Sequence, residues 1–520
     1  MFYELNFSQT IWQLLIFMTK FIKQHPLATV MMVAVFFRLL ATLFSKGYMA
    51  SDDHFQTVHV AYCWLQDGLW GPNGFLTWKH VSSVTISRFP LYTLFLYLNM
   101  KIMYLLGFES LNKIMYEIRF VHALFSLLGV WFVYKTVELV TASKKWALLG
   151  GLFMAAHFIM PFLAVRNLIE MVGGTIWVIA FYYFYKYKID HQGKWLIIAG
   201  IITALAWMVR FELIFAFWII PFLLWYRYKN IKPALYYGMT VLVMLILAGF
   251  VDLLLLGTFM GSSINHIKQG LTEGPVYHSN FLIYTEVLIG YFIPPFSLLA
   301  LFLAIRKRFW GKHFLLFFST LSFFVIHTVI SSRQERYMIP IISVLILMVV
   351  LVLHQHYLEK GFFFKKKWLF YPVVYFTLLV NMILIFPFTL NYAHKGMVEP
   401  LVKIEQMSSS TPTVLFFSPD HYRNFPYLYA GFVSIGRKYI FHWSELNQKL
   451  PLNGKNNNFD YYLLYPLEAQ DLPKYIDSLS KRVGPLKEVF YVSPSLIDNA
   501  LHWLNPKHNR TNEVWGYQKK

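Results

Sequence analysis

Cysteine is nearly absent. Cys63 is the only one in 520 residues. No internal disulfide can form, and CxxC-type metal or redox sites are excluded. Charge is scarce as well: Asp, Glu, Lys and Arg make up 14% of the chain, against 57% hydrophobic and 19% aromatic residues. A water-soluble protein of this length needs far more polar surface. Acid is the scarcer sign, with 26 Asp and Glu against 46 Lys and Arg and a formal net charge of +20. There is no Walker A loop and no GxGxxG turn opening a nucleotide-binding domain. The first residues lack a cleavable signal pattern, and no internal repeat is visible.

What is present is apolar sequence in long runs. Mean hydropathy is +0.48. A crossing helix needs about 20 apolar residues. Spans are predicted near 26–44, 116–137, 147–163, 171–187, 195–209, 212–226, 234–256, 282–304, 313–330, 338–356 and 367–388. This reads as a polytopic α-helical membrane protein with about 11 transmembrane helices. Residues 1–25 read as an interfacial segment, through the amphipathic run Ile11–His25. The excess of cations sits in short clusters between spans, such as Tyr226–Lys232, Arg306–Lys312 and Phe362–Trp368. That is the pattern of cytoplasmic loops, not of a nucleic-acid surface. To keep these clusters on one side, the run Phe89–Gly107, with Pro90 and Lys101, is read as interfacial or re-entrant.

With that choice the stretches 45–88, 164–170, 257–281 and 331–337 fall on the outer face, with everything from 391 onward. Residues 26–390 then form a transmembrane domain and 391–520 an extracytoplasmic one. The tail alternates short β-like runs, Thr413–Ser418, Lys438–Trp443 and Tyr461–Pro466, with helical patterns such as Lys474–Val483. A small α/β domain is expected.

The outer stretches hold an unusual share of charge at membrane depth, where it is costly and usually functional. The first outer loop, 45–88, carries Asp52, Asp53, His54, Gln56, Trp78, Lys79 and Arg88. Arg166 and Glu170 follow in the next. Arg210 and Glu212 split an apolar stretch, Asp252 sits late in its span, and Arg333, Glu335 and Arg336 lie between two spans. Each has a plain reading. Ser51-Asp52-Asp53 makes a good helix cap, and Arg210 with Glu212 a structural ion pair. Their convergence on one face suits a lipid-phosphate substrate. Arginine forks grip phosphate, a carboxylate serves as general base toward a hydroxyl, and cations stabilise a leaving phosphate.

The order of these motifs resembles the GT-C superfamily of integral-membrane glycosyltransferases, closest to family 22, the mannosyltransferases of N-glycan precursor and GPI-anchor assembly. The first-loop His-Pro-Asp-Glu element of that family is matched by Ala50–Gln56, and its Leu-Thr-Trp-Glu-Trp by Leu76–His80. The Arg before Pro is matched by Ser87–Pro90, and Asn-Ser-x-Glu by Arg166–Glu170. Arg210, Asp252 with Gly257, and Ser332–Pro340 complete the order. Here Asp53 replaces the family's Glu, Lys79 and His80 replace Glu and Trp, and Gln334 replaces Lys.

The resemblance covers roughly 26–356. It implies an inverting transfer of a hexose, mannose in the family, from a polyprenyl-phosphate-sugar donor to a hydroxyl of a lipid-linked glycan acceptor on the periplasmic or lumenal face. It implies Asp52 as general base with Asp53 positioning it or the acceptor, and Arg336, Arg333 and Arg210 on the donor phosphate. His54, Gln56, Trp78, Lys79, Arg88, Arg166, Glu170, Asp252 and Glu335 would line the acceptor side of the cavity. No cofactor is implied, although two adjacent carboxylates can also hold Mg²⁺ or Mn²⁺. Two other readings share the composition: a transporter or flippase for lipid-linked sugars, and a polysaccharide polymerase or ligase using a lipid diphosphate. Related halves and midplane charges would favour the transporter; neither is seen.

Overall fold

The computed structural model describes residues 16, 19–50, 53–69, 88–108, 111–272, 280–330, 333–408, 412–417, 438–441, 459–466, 469–504 and 513–520. Among these, six helices are long and apolar enough to cross a membrane. They are Pro26–Phe44, Ile114–Thr141, Phe211–Tyr228, Ile231–Leu256, Glu335–Leu358 and Lys367–Leu390. The chain is an integral membrane protein. Only 11% of the Lys367–Leu390 window is buried, so most of its Leu, Ile and Phe side chains are left for lipid.

Several sequence-read spans are broken, each at an identifiable place. The stretch 282–304 is two helices, Ile283–Tyr291 and Phe296–Ala304, bent by 112°. The break falls at Ile293-Pro294-Pro295, where two residues lack an N–H for the helix ladder. Residues 147–163 divide into Lys144–Ala156 and Met160–Ala164, with Pro161 starting the second piece. The helix Lys194–Val209, by contrast, keeps the bounds read for 195–209 and ends at Arg210, which is extended (φ −140°, ψ 109°). The interfacial run contains a helix, Leu91–Leu105, of 15 residues, short of the about 20 that span a bilayer.

The helix Ile169–Asp190 lies at the centre of the bundle, and most of its residues are buried. Hereafter it is the central helix. Its neighbours approach closely because it carries small residues, as helices in membranes require. A Cβ on Gly174 would lie 2.7 Å from the Pro340 carbonyl oxygen and 2.9 Å from Pro340 Cα. Gly174 therefore lets the turn before Ile339–Leu358 come down on the central helix one turn from Glu170.

Beyond residue 391 the described chain forms a five-stranded sheet in the order β2-β1-β3-β5-β4. The strands are β1 Val414–Phe417, β2 Lys438–Phe441, β3 Tyr461–Leu464, β4 Leu486–Val492 and β5 Val514–Lys519. The first three are mutually parallel, and β5 runs antiparallel to β3 and β4. Strand periodicity sorts the side chains onto two faces. Val414, Phe416 and Leu463 pack with Met397, Leu401 and Ile404 of the helix Lys395–Met407. Leu415, Phe417 and Leu464 pack with Leu479 and Val483 of the helix Leu472–Val483. Val398 and Val402, on the other side of Lys395–Met407, pack against Val58, Ala61 and Trp64 of the first loop. One helix thus joins the sheet to the membrane bundle.

Candidate functional site

Of the cap reading Ser51-Asp52-Asp53, only Asp53 lies among the described residues. His54–Val58 is a turn of π-helix running into the α-helix His59–Asp67. Such turns insert an extra residue and recur at functional sites. Asp53 makes no side-chain cap to its own helix. Its carboxylate instead accepts from the backbone N–H of Ile169 at 3.3 Å, the first residue of the central helix. The cap reading is corrected in this respect: for Asp53 the capped helix is a different one. A carboxylate at a helix N-terminus meets unpaired N–H groups and the positive end of the dipole.

Asp53 is fully buried and also pairs with the Arg88 guanidinium. Arg88 Nε donates to the Gln56 amide oxygen at 3.0 Å. His54 is buried, with its ring stacked 5.0 Å from that of Tyr48. Burial, followed by the neighbouring His59, pushes the His54 imidazole down to about 3, so it is neutral at physiological pH. Tyr48 in turn lies 4.8 Å from the ring of His394.

The residue after Ile169 is Glu170, and it gathers the arginines. Arg210 Nη1 is 2.6 Å from Glu170 Oε1 with both side chains buried. Arg336 Nη1 is 3.9 Å from the same oxygen and remains 16% exposed. Arg210 Nε also lies 3.5 Å from Glu212, whose other oxygen is 3.6 Å from His266 Nε2. The Tyr337 ring sits 5.3 Å from the Arg210 guanidinium and 5.5 Å from that of Arg336. Consecutive residues at one helix start, Ile169 and Glu170, therefore hold Asp53–Arg88 and Arg210–Arg336 together. The cluster pairs buried acids with arginines, and two of those arginines, Arg88 and Arg336, still reach solvent.

Other sequence-predicted residues sit apart from this cluster. Arg166 is buried; it donates to the Phe162 carbonyl at 2.5 Å and to Ser45 Oγ at 3.0 Å. Asp252 accepts from the Ser262 N–H and hydroxyl at 2.9 and 2.6 Å, closing the turn after its helix. Arg333 Nε donates to the Thr328 carbonyl at 3.0 Å. Glu335 opens the 3₁₀ turn Glu335–Met338 that carries Arg336. Asp52, Trp78 and Lys79 lie outside the described residues. Among the described residues no three His, Cys, Asp or Glu side chains group as metal ligands would.

Some residues that support the site were not read from sequence. Arg38 is buried in the first span, donating to Ser126 Oγ at 2.8 Å and to the Ala155 carbonyl at 3.0 Å. Its signal was visible as a lone charge in an apolar run. Asp498 gave no such signal. It lies in the tail and accepts from the backbone N–H groups of His394 and Lys395 at 2.8 and 2.9 Å, which start the helix packed on the first loop.

With this geometry in hand, comparison with solved structures decides the fold. The crystal structure of ArnT from Cupriavidus metallidurans bound to undecaprenyl phosphate matches with a TM-score of 0.54 and 11% identity, over 94% of this chain and 97% of that one. Its apo form matches with a TM-score of 0.55 and 12% identity, over 98% of each chain. The chain has the fold of these two ArnT structures. Likeness at this identity concerns the fold alone, across nearly the full length of both chains. The Archaeoglobus fulgidus oligosaccharyltransferase matches with a TM-score of 0.47 and 13% identity, over 89% of this chain and 72% of that one. The family model of dolichyl-phosphate-mannose-protein mannosyltransferases matches residues 92–251, a segment that includes Glu170 and Arg210 of the cluster. No curated protein matches by sequence.

Proposed function

We propose that this protein is an inverting glycosyltransferase that moves a hexose, mannose first, from a polyprenyl-phosphate-sugar donor to a hydroxyl of a lipid-linked glycan. The observation that carries the reading is the Glu170 cluster: a buried carboxylate fixes two arginines at the start of the central helix, and one of them, Arg336, is still partly exposed. Arg336 is the donor-phosphate ligand, with Arg210 held behind it by Glu170 and Glu212. Support for a lipid-phosphate donor comes also from the undecaprenyl phosphate bound by ArnT and from the mannosyltransferase family model. The kinship to family 22, the count of about 11 spans and the extracytoplasmic face of both the site and the α/β tail belong to the same proposal.

In the reaction, the acceptor oxygen attacks the anomeric carbon from the face opposite the phosphate. The carbon–oxygen bond to the phosphate breaks as the new glycosidic bond forms, inverting that centre. The acceptor proton passes to a carboxylate, for which Asp52 is the candidate. Asp53 is anchored to Ile169 and Arg88, and so steadies the loop that carries its sequence neighbour. The polyprenyl phosphate leaves with its charge beside Arg336. Preorganised cations of this kind stabilise developing charge without reorganising.

The test is transfer of labelled mannose from polyprenyl-phosphate mannose to a lipid-linked acceptor by the purified protein. Loss of the general base in Asp52→Asn is expected to lower kcat about 10²–10⁴-fold. Near-normal turnover would remove Asp52 from the role. Failure of the wild type with every polyprenyl-phosphate hexose would overturn the enzyme reading. Labelling single cysteines placed in 138–146 from each side of the membrane tests the face.

A further inference from the structure

The opposite end of the central helix holds a second charged cavity that glycosyl transfer does not use. Eighteen residues separate Glu170 from Lys188, roughly 27 Å along a helix. Around Lys188 lies a cleft of about 190 Å³. Lys188, Arg227 and Lys312 line it, with Tyr185, His313 and Phe314 among its other walls. The cations come from three separate segments of the chain. Lys188 Nζ donates to the Lys312 carbonyl at 2.5 Å, and the Tyr185 hydroxyl bonds His313 Nδ1 at 2.7 Å. The Phe314 ring stacks on that of Tyr226 at 5.8 Å.

Among the described residues no carboxylate lines this cleft. Asp190, the acid nearest in sequence, is turned to the Gln192 N–H and the Trp195 indole, at 3.0 and 2.6 Å. Each cation occupies the last turn of its helix, where it meets a partial charge of about −0.5. These helix ends offset only part of the three charges; Arg227 and Lys312 are exposed, so the cleft is positive and open to an anion from outside. Loop charge for orientation needs cations in a loop; it does not need three of them in one walled cleft. The volume is below the about 300–1,000 Å³ of sites that enclose a whole small molecule. It suits a phosphate group whose remainder stays outside. Aromatic walls at the end of a transmembrane bundle are typical of headgroup level.

We propose that this cleft binds the phosphate of an anionic lipid headgroup in the leaflet at the Lys188 end of the bundle. Arg227 and Lys312 grip the phosphate oxygens, and the acyl chains remain in the bilayer.

The test uses the full chain in neutral detergent, offered phosphatidylglycerol and phosphatidylcholine in equal amounts, with retained lipid counted by native mass spectrometry. The wild type is expected to retain phosphatidylglycerol selectively. Arg227→Gln and Lys312→Gln should each weaken retention about tenfold, as expected for one charge-assisted hydrogen bond. Lys188 is left intact because its bond to Lys312 joins two helices. Lys229→Gln removes the same charge from a residue set over the Tyr226 ring and outside the cleft lining, and should leave retention unchanged. Equal retention by the wild type and both cleft variants overturns the proposal. So does equal loss in Lys229→Gln, which would mark a diffuse charge effect. A rise in thermal midpoint with millimolar inorganic phosphate, without selective lipid retention, overturns the lipid assignment in favour of a soluble phosphate. Arg227→Gln folded to the wild-type midpoint in phosphatidylcholine keeps the comparison free of misfolding.

Discussion

The two ends of the central helix solve opposite problems with similar residues. At the Glu170 end, arginines lie beside buried acids: Arg210 and Arg336 on Glu170, Arg88 on Asp53. At the Lys188 end three cations line one cleft with no acid among its walls. Buried charge must be paired where water is excluded. The first end is therefore a rigid internal network whose geometry is fixed before any ligand arrives. At the second, Arg227 and Lys312 are exposed, so water can serve them until something negative arrives. Charge count alone would not have separated them; the separation lies in which acids the fold brings within reach.

That contrast fails if the two ends respond alike to loss of one member. Glu170→Ala should be the most damaging substitution, because it takes the 2.6 Å partner from the buried Arg210 and leaves it only the longer contact to Glu212 at 3.5 Å. Breaking a buried pair on one side costs about 3–5 kcal/mol, read as a fall in the unfolding free energy in mixed detergent. Lys312→Gln at the other end should be near neutral in the same assay, or stabilising where the membrane mimic lacks anionic lipid. The double substitution Glu170→Leu, Arg210→Met should recover most of the stability lost in Glu170→Ala and none of the transfer activity. Comparable losses at both ends would mean that the Lys188 cluster is paired after all.

Gly174→Ala sharpens the role of Arg336. The added methyl would sit against Pro340 backbone atoms at 2.7–3.1 Å, where no side chain can swing away. Overpacking of this kind costs about 1–3 kcal/mol. The strand of chain that must give way includes the turn Glu335–Met338 with Arg336. A raised KM for donor with a smaller change in kcat is expected, and an unchanged donor KM would show that Arg336 is not positioned by this contact.

A smaller effect is expected from the tail. Asp498→Ala removes acceptors from the first N–H groups of the helix Lys395–Met407, a loss of about 0.5–2 kcal/mol. Because Val398 and Val402 of that helix pack on Val58 and Ala61, amide exchange should quicken in 395–407 and in 54–67 together. Faster exchange in 395–407 alone would show that the first loop holds its shape without the tail.

These supports explain how much of the molecule was legible beforehand. The apolar runs and their cations gave membrane class directly, since a bilayer imposes length and composition on a span. The Pro294-Pro295 break was in plain sight, yet a hydropathy window averages over it. Charges at span ends marked Glu170, Arg210 and Arg336, because polar residues at that depth are costly. What could not be read was pairing. Asp53 looked like the cap of its own helix, and its capping of Ile169 depends on two segments 116 residues apart meeting. Arg166 and Asp252 gave the same signal as Arg210, yet they close a loop and a turn. In the tail, three strands and one helix showed as apolar runs between turns, whereas the four-residue apolar run Val489–Val492 of β4 is too short for periodicity to tell strand from helix.

The least perturbing way to probe the first end is acid. His54 and His394 are both pushed down by burial, His54 to about 3, against about 6.5 in an unfolded chain. Between those values the unfolded state binds more protons than the folded one, so stability rises with pH across that window. The neutral-histidine contribution is fully present above about 6.5 and is lost as pH falls toward 3. The thermal midpoint should therefore drop on acidification from pH 7 to pH 4. In His54→Gln the drop should be shallower, because one group no longer titrates differently in the two states. His394 remains and keeps part of the slope. Arg227→Gln, at the other end of the central helix, removes no histidine and should leave the slope as in the wild type. A His54→Gln profile parallel to wild type across that range would show that the π-turn opens to water before the protein unfolds, and that the first end is less closed than its packing suggests.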